Sequence, residues 1–214
     1  MNTTTAQPRG AADAAAAVPE PPDDVREAAR HAPDHWFGML DPAWRARHEE
    51  EDEAPPVWAV LGQWRSDSRG EIVEWQDNTA YRPSPAMMGW PRPTDPVDAA
   101  AQLAATGYGP HEDIAVAVVQ ARLAVLTAPH GGPVLACAPD GTPVVPVFSQ
   151  AAHLHAAGAL AHQLLPAEEV FAWVPDGYEL CVNPAGPAPA RLSVADLENA
   201  VAALTARATG REDT

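Results

Sequence analysis

Hydrophobic and polar positions alternate most regularly over Val57–Trp64 and again over Glu71–Trp75. In the first stretch Trp58, Val60, Gly62 and Trp64 share one face; in the second, Ile72 and Glu74 oppose Val73 and Trp75. A period of two is the mark of a half-buried strand, and the polar connector Ser66–Gly70 ends on a glycine. Together they predict a β-hairpin with a longer loop. Helical spacing takes over after the proline-punctuated segment 83–96. Asp95-Pro96 places a cap before a proline at the first turn, and Gly107 closes the helix. A second helix is expected from Pro110 to Ala121, with Glu112 and Asp113 favourably placed against its N-terminal dipole.

From Leu123 onward short apolar runs alternate with turns. Strands are expected near 123–127, 133–138, 143–148, 161–165 and 179–182, with helices near 150–158 and 166–173. Asp140-Gly141 and Asp176-Gly177 are turn signals, because glycine accepts positive φ and aspartate hydrogen-bonds its own backbone. Pro143 and Pro146 withhold two donors, so the strand after the first turn should start at an edge or carry an interrupted ladder. Ser149 is placed to cap the helix that follows it. The last helix is the clearest: Val194, Leu197, Val201 and Leu204 recur at helical intervals behind a Ser193–Asp196 capping box.

The series Asp140-Gly141-Thr142-Pro143-Val144-Val145-Pro146-Val147-Phe148-Ser149, then Val174-Pro175-Asp176-Gly177-Tyr178-Glu179-Leu180-Cys181-Val182-Asn183-Pro184, then the closing helix, resembles the N-terminal domain of the SseB family. That family takes its name from a bacterial serine-sensitivity phenotype. The upstream stretches Gly62–Asn78 and Arg82–Pro110 are similar to actinobacterial proteins associated with type VII secretion that carry such a domain. The resemblance spans roughly residues 34 to 205. It implies a mixed α+β fold and an accessory role beside a secretion machine, and it implies no catalytic residues.

The expected fold class is therefore α+β: a mixed sheet with flanking helices, preceded by a small Trp-rich hairpin module. Residues 1–32 are rich in Ala, Pro, Thr and acids with almost no large apolar side chain, and are expected as a disordered leader, with a short helix from Asp24 to His31 as the one possible element. The hairpin-plus-helix module is assigned to 33–108, the SseB-like domain to 109–208 and a disordered tail to 209–214.

Composition then narrows the partners. A net charge of −16 repels phosphate backbones and anionic lipid, which disfavours nucleic acid and membrane surfaces and leaves basic proteins open. The acidic run Glu49–Glu53 reads as a solvated loop. All 13 basic residues are arginine, in keeping with a high-GC genome. No run of about eighteen apolar residues and no signal peptide is present, so a cytoplasmic location is expected. The two cysteines, Cys137 and Cys181, each fall in an expected strand and read as small buried hydrophobes.

Candidate chemistry is sparse. His153 and His155 sit two apart on one helix and cannot chelate the same ion from it; the other six histidines are scattered. Gly131-Gly132 lacks the Lys and Ser/Thr of a phosphate loop, and Ser149 lies in no nucleophile elbow. No catalytic residue, cofactor or metal ligand is assigned. The six tryptophans between Asp34 and Trp90 read first as core. Their second reading is a peptide-binding surface, with Trp36, Phe37, Trp44, Trp64 and Trp90 as the partner-binding candidates. The functional expectation is a non-enzymatic adaptor or chaperone binding a protein partner such as a secreted substrate or the secretion ATPase. The alternative is an immunity-type protein that neutralises a secreted toxin.

Overall fold

A computed structural model describes residues 19–48, 54–129 and 131–212. Residues 1–18 of the expected leader, the acidic run 49–53, His130 and the last two residues lie outside the described residues. The chain forms two compact units, the described residues 19–40 with 54–81 and 41–48 with 82–212.

The first unit carries helix α1 (Asp23–His31) and strands β1 (Trp36–Leu40), β2 (Val60–Ser66) and β3 (Ile72–Asp77). The hairpin of β2 and β3 is as the alternation predicts, with Gly62, Trp64 and Ser66 buried and Gln63 exposed. β1 was not expected; it adds a third antiparallel strand, so that Phe37, Trp64 and Trp75 lie in register across the sheet. Gly62 is the position that lets the tryptophans close up, since a methyl there would fall inside the Trp75 ring and 2.6 Å from the Gln76 carbonyl.

Residues 19–32, expected within the disordered leader, are folded. Ala29 of α1 is fully buried, and a methyl on Gly70, whose φ is +77°, would sit 2.7 Å from the Ala29 carbonyl. The buried Ser66 hydroxyl donates to the Ala32 carbonyl at 2.9 Å and accepts from the His35 amide at 3.0 Å. These long-range polar bonds supply the anchoring that the apolar content of the segment does not.

The second unit begins with α2 (Pro42–Arg45) and resumes with α3 (Pro96–Thr106), α4 (Glu112–Val119), β4 (Arg122–Leu126), β5 (Ala136–Cys137), β6 (Pro143–Phe148), α5 (Ala151–Ala157), β7 (His162–Pro166), α6 (Ala167–Trp173), β8 (Glu179–Val182), β9 (Ala190–Leu192) and α7 (Val194–Glu212). Its sheet runs in the order β7-β4-β6-β8-β9, with β5 paired to the start of β6. Only β6 and β8 are parallel, as their connection through α5, β7 and α6 permits. The α+β class is thus the observed one, with a mixed sheet and flanking helices.

Alternation along the strands splits the core. Leu123, Val125, Val145, Val147, Leu180 and Val182 meet α3, α4, α6 and α7, whereas Ala124, Leu126 and Phe148 meet Leu154 of α5. β6 is a central strand, yet its ladder is interrupted. β5 pairs at Pro143 and Val144, β4 pairs at Val147 and Phe148, and the gap falls at Val145 and Pro146, where the proline has no N–H to give. The caps of α3 and α7 are as expected: Asp95 accepts from the Val97 and Asp98 amides, Gly107 takes φ +78°, and Ser193 and Asp196 exchange hydrogen bonds.

Other expectations give way. α3, placed in the sequence with the hairpin module, packs against α4, and both lie in the second of the two compact units. β9 has no signal beyond three residues, and α7 runs from Val194 to Glu212, into the segment 209–214 that was expected as a tail. Cys137 is exposed and only Cys181 is half-buried, its thiol pushed up by burial; both are free, on strands separated by β6. No helix among the described residues is long and apolar enough to cross a membrane.

Candidate functional site

Parallel pairing of β6 with β8 brings the ends of both strands together at one edge of the sheet, where Ser149 follows β6 and Asn183 follows β8. Ser149 was expected to cap α5; the capping position is instead Gln150, which makes no side-chain cap bond. The Ser149 hydroxyl donates to Asp95 Oδ2 at 3.0 Å and accepts from Asn183 Nδ2 at 2.9 Å, while the Ser149 amide donates to Asn183 Oδ1 at 2.9 Å. Asn183 is buried and holds φ +49°, a left-handed conformation that asparagine tolerates better than most residues.

The N-terminus of α3 supplies the other half. Asp95 spends Oδ1 on capping its own helix and turns Oδ2 to Ser149. One turn on, Asp98 is 5% exposed, with Gln102 Nε2 at 3.3 Å from both of its carboxylate oxygens. Gln102 Nε2 also donates to the Pro91 carbonyl at 3.1 Å. His153 of α5 closes the cluster, its Nε2 lying 3.5 Å from Asp98 Oδ2. Gly186 permits this approach: a methyl there would stand 3.1 Å from the Asn183 carbonyl and 3.2 Å from His153 Nδ1.

Ligand atoms of Asp95, Asp98 and His153 all lie within 4.8 Å of one another. Two carboxylates and an imidazole in this arrangement can hold a divalent cation. Sequence reading missed the set because Asp95 and Ser149 each had a sufficient local role as a cap, Asp98 drew no reading, and His153 was weighed as a ligand only together with His155 two residues on. His155, two residues on, is exposed and takes no part.

The five aromatic candidates for partner binding divide between the units, with Trp36, Phe37 and Trp64 on the three-stranded sheet and Trp44 and Trp90 in the second unit. Trp36, on β1, is 38% exposed, with the Arg65 guanidinium 6.0 Å from its ring centroid, and Phe37 beside it is half-buried. Trp64 is 1% exposed, its ring 4.5 Å from that of Trp75. In the second unit Trp44 is buried and stacked on His48 at 4.3 Å, while Trp90 packs partly against the core and partly lines a groove. That groove, of about 320 Å³, is walled by Pro85, Pro91, Pro93, Leu103 and the stem of Arg47. Arg47 Nη1 donates to the Tyr108 carbonyl at 2.6 Å and the Tyr108 hydroxyl to the Arg82 carbonyl at 2.9 Å, which ties α2 and the proline segment to the end of α3. Met87 and Met88, on the turn before Trp90, are 47% and 50% exposed.

Residues 94–199 match the family model of the SseB protein N-terminal domain. No curated protein and no solved structure matches the chain. The matched span opens at the cap of α3 and ends within α7, so it contains the whole Asp95–Asp98–Ser149–His153–Asn183 cluster and leaves the Trp90 groove only partly inside.

Proposed function

We propose, from the premise that residues 94–199 form a domain of the SseB N-terminal type, that the protein is a non-enzymatic accessory factor of type VII secretion. It acts in the cytoplasm by binding a protein partner, as adaptor or chaperone for exported helical-hairpin substrates or at the secretion ATPase. The observation that carries the binding reading is the groove at Trp90. A half-buried tryptophan between prolines, with two half-exposed methionines on the preceding turn, offers the rigid aromatic anchor and adaptable apolar rim that interfaces favour. Support for the secretion context comes from the likeness of Gly62–Asn78 and Arg82–Pro110 to type VII secretion-associated proteins.

The experiment is affinity purification of the tagged protein from its native host with mass spectrometry of what co-elutes. Recovery of exported helical-hairpin proteins or of the ATPase supports the reading, and their absence overturns it. Recovery of a single basic toxin instead supports an immunity role, the reading that the net charge of −16 favours.

A further inference from the structure

Asp98 is a buried carboxylate, and Asp95 lies within 4.8 Å of it through the same cluster. Two carboxylates so close repel one another, and a buried charge is costly unless it is paired. The chain has no lysine, and among the described residues no arginine forms an ion pair with either aspartate. Among the described residues the imidazole of His153 is the one basic group in an ion pair with this carboxylate, and its 3.5 Å separation from Asp98 Oδ2 is long for a charge-assisted hydrogen bond, which closes to about 2.7–2.9 Å. It suits another geometry. Two ligand atoms each about 2.1 Å from one ion, with a tetrahedral angle between them, lie about 3.4 Å apart.

The surroundings have the form of a metal site's outer layer. Gln102 orients Asp98 through both of its oxygens, and Ser149 orients Asp95 while being held by Asn183. The Gln102 amide that reaches Asp98 is 1% exposed, and its Oε1 is buried with no hydrogen-bond partner. Among the described residues this oxygen, on the amide whose nitrogen reaches Asp98, is left without a polar partner.

We propose that Asp95, Asp98 and His153 bind one divalent transition-metal ion of the zinc or manganese class, through one oxygen from each carboxylate and Nε2 of the imidazole. Two positive charges balance the two carboxylates with His153 neutral, and the mixed oxygen and nitrogen donor set favours such ions over calcium. The ion fastens the start of α3 to α5 beneath the ends of β6 and β8, and the assignment stands apart from any partner at the Trp90 groove.

The test uses untagged full-length protein stripped with EDTA and titrated calorimetrically with ZnCl₂ and, separately, MnCl₂. One equivalent is expected to bind to the wild type and to His155→Gln. Affinity should fall by at least the roughly 10–100-fold seen when even an outer-layer partner is lost, in both Asp98→Asn and His153→Gln. Cobalt(II) should give visible absorption bands in the wild type that His153→Gln abolishes; this variant, half-buried rather than core, keeps the test decisive if Asp98→Asn does not fold. Absence of binding, binding that survives His153→Gln, or equal loss in His155→Gln overturns the proposal.

Discussion

The Ser149 hydroxyl donates to the Asp95 carboxylate at 3.0 Å, joining residues 54 apart in sequence. The bond couples the end of β6 to the first turn of α3, and Asn183 completes it from the end of β8. Ser149→Ala removes a charge-assisted donor and leaves the buried Asn183 amide short of an acceptor. The expected cost is about 2 kcal/mol, read as a lower urea midpoint with an unchanged slope.

Gly186→Ala tests the same cluster from the other side. Its methyl would press on His153 Nδ1 at 3.2 Å and the Asn183 carbonyl at 3.1 Å, so one of them must yield. A destabilisation of about 1–3 kcal/mol is expected from such overpacking, together with a shift of the His153 ring resonances that a remote surface change would not produce.

In the first unit Gly62 and Gly38 make a matched pair. Gly62→Ala drives a methyl into the Trp75 ring and should destabilise the three-stranded sheet by at least about 2 kcal/mol. Gly38→Ala meets nothing nearer than Val60 Cγ1 at 3.8 Å and should stay within about 1 kcal/mol of wild type. Tryptophan fluorescence during denaturation separates the two outcomes.

Elements whose signals are local were legible in the sequence. Asp95-Pro96 and Gly107 bound α3, Ser193 with Asp196 opens α7, and Asp140-Gly141 turns the chain because Thr142 N donates back to Asp140 Oδ1 at 3.1 Å. Elements that exist only through partners were not. β1 and β9 are strands because β2 and β8 offer free edges; the helix named from Asp24 to His31 is present as α1, and what the sequence hid is that Ser66 and Gly70 receive it. The polar cluster was hidden for the same reason. His153 does lie on the expected helix, whereas Ser149 precedes its cap by one residue, and their meeting with Asp95 and Asp98 depends on the parallel pairing of β6 and β8, which no local pattern announces. The six tryptophans were read as core first; Trp44 and Trp64 are buried, Trp58, Trp75 and Trp90 are half-buried, and Trp36 is exposed.

Acid should weaken the fold partly through Asp140. Its carboxyl is lowered from 3.8 to about 2, chiefly by the Thr142 backbone N–H, then by the Thr142 hydroxyl and the Arg191 guanidinium. A depressed carboxyl contributes stability that is complete above pH 3.8 and is lost as the pH falls towards about 2. Asp140→Asn should therefore flatten the stability profile within that window and leave it parallel to wild type above it. Because the Arg191 contact is exposed, molar salt should shrink the difference.

Met87→Glu and Met88→Glu probe the exposed turn that leads into the Trp90 groove without touching the core. Both side chains are about half exposed, so stability should change by no more than about 0.5 kcal/mol, while capture of the native partner should fall. Retention of the partner by the double variant would exclude this surface.

The chain leaves its first unit after Leu40, deposits Asp41 and Trp44 in the second, and returns to finish the first at Tyr81. Asp41 is fully buried there, its Oδ2 accepting from the Ser84 amide at 3.2 Å. The gene therefore offers no single cut that yields both units whole. A fragment starting at residue 82 forfeits the wall of α2, one ending at 81 carries α2 as a stranded insert, and shuffling between relatives would have to exchange the Trp-rich sheet and the α2 segment together.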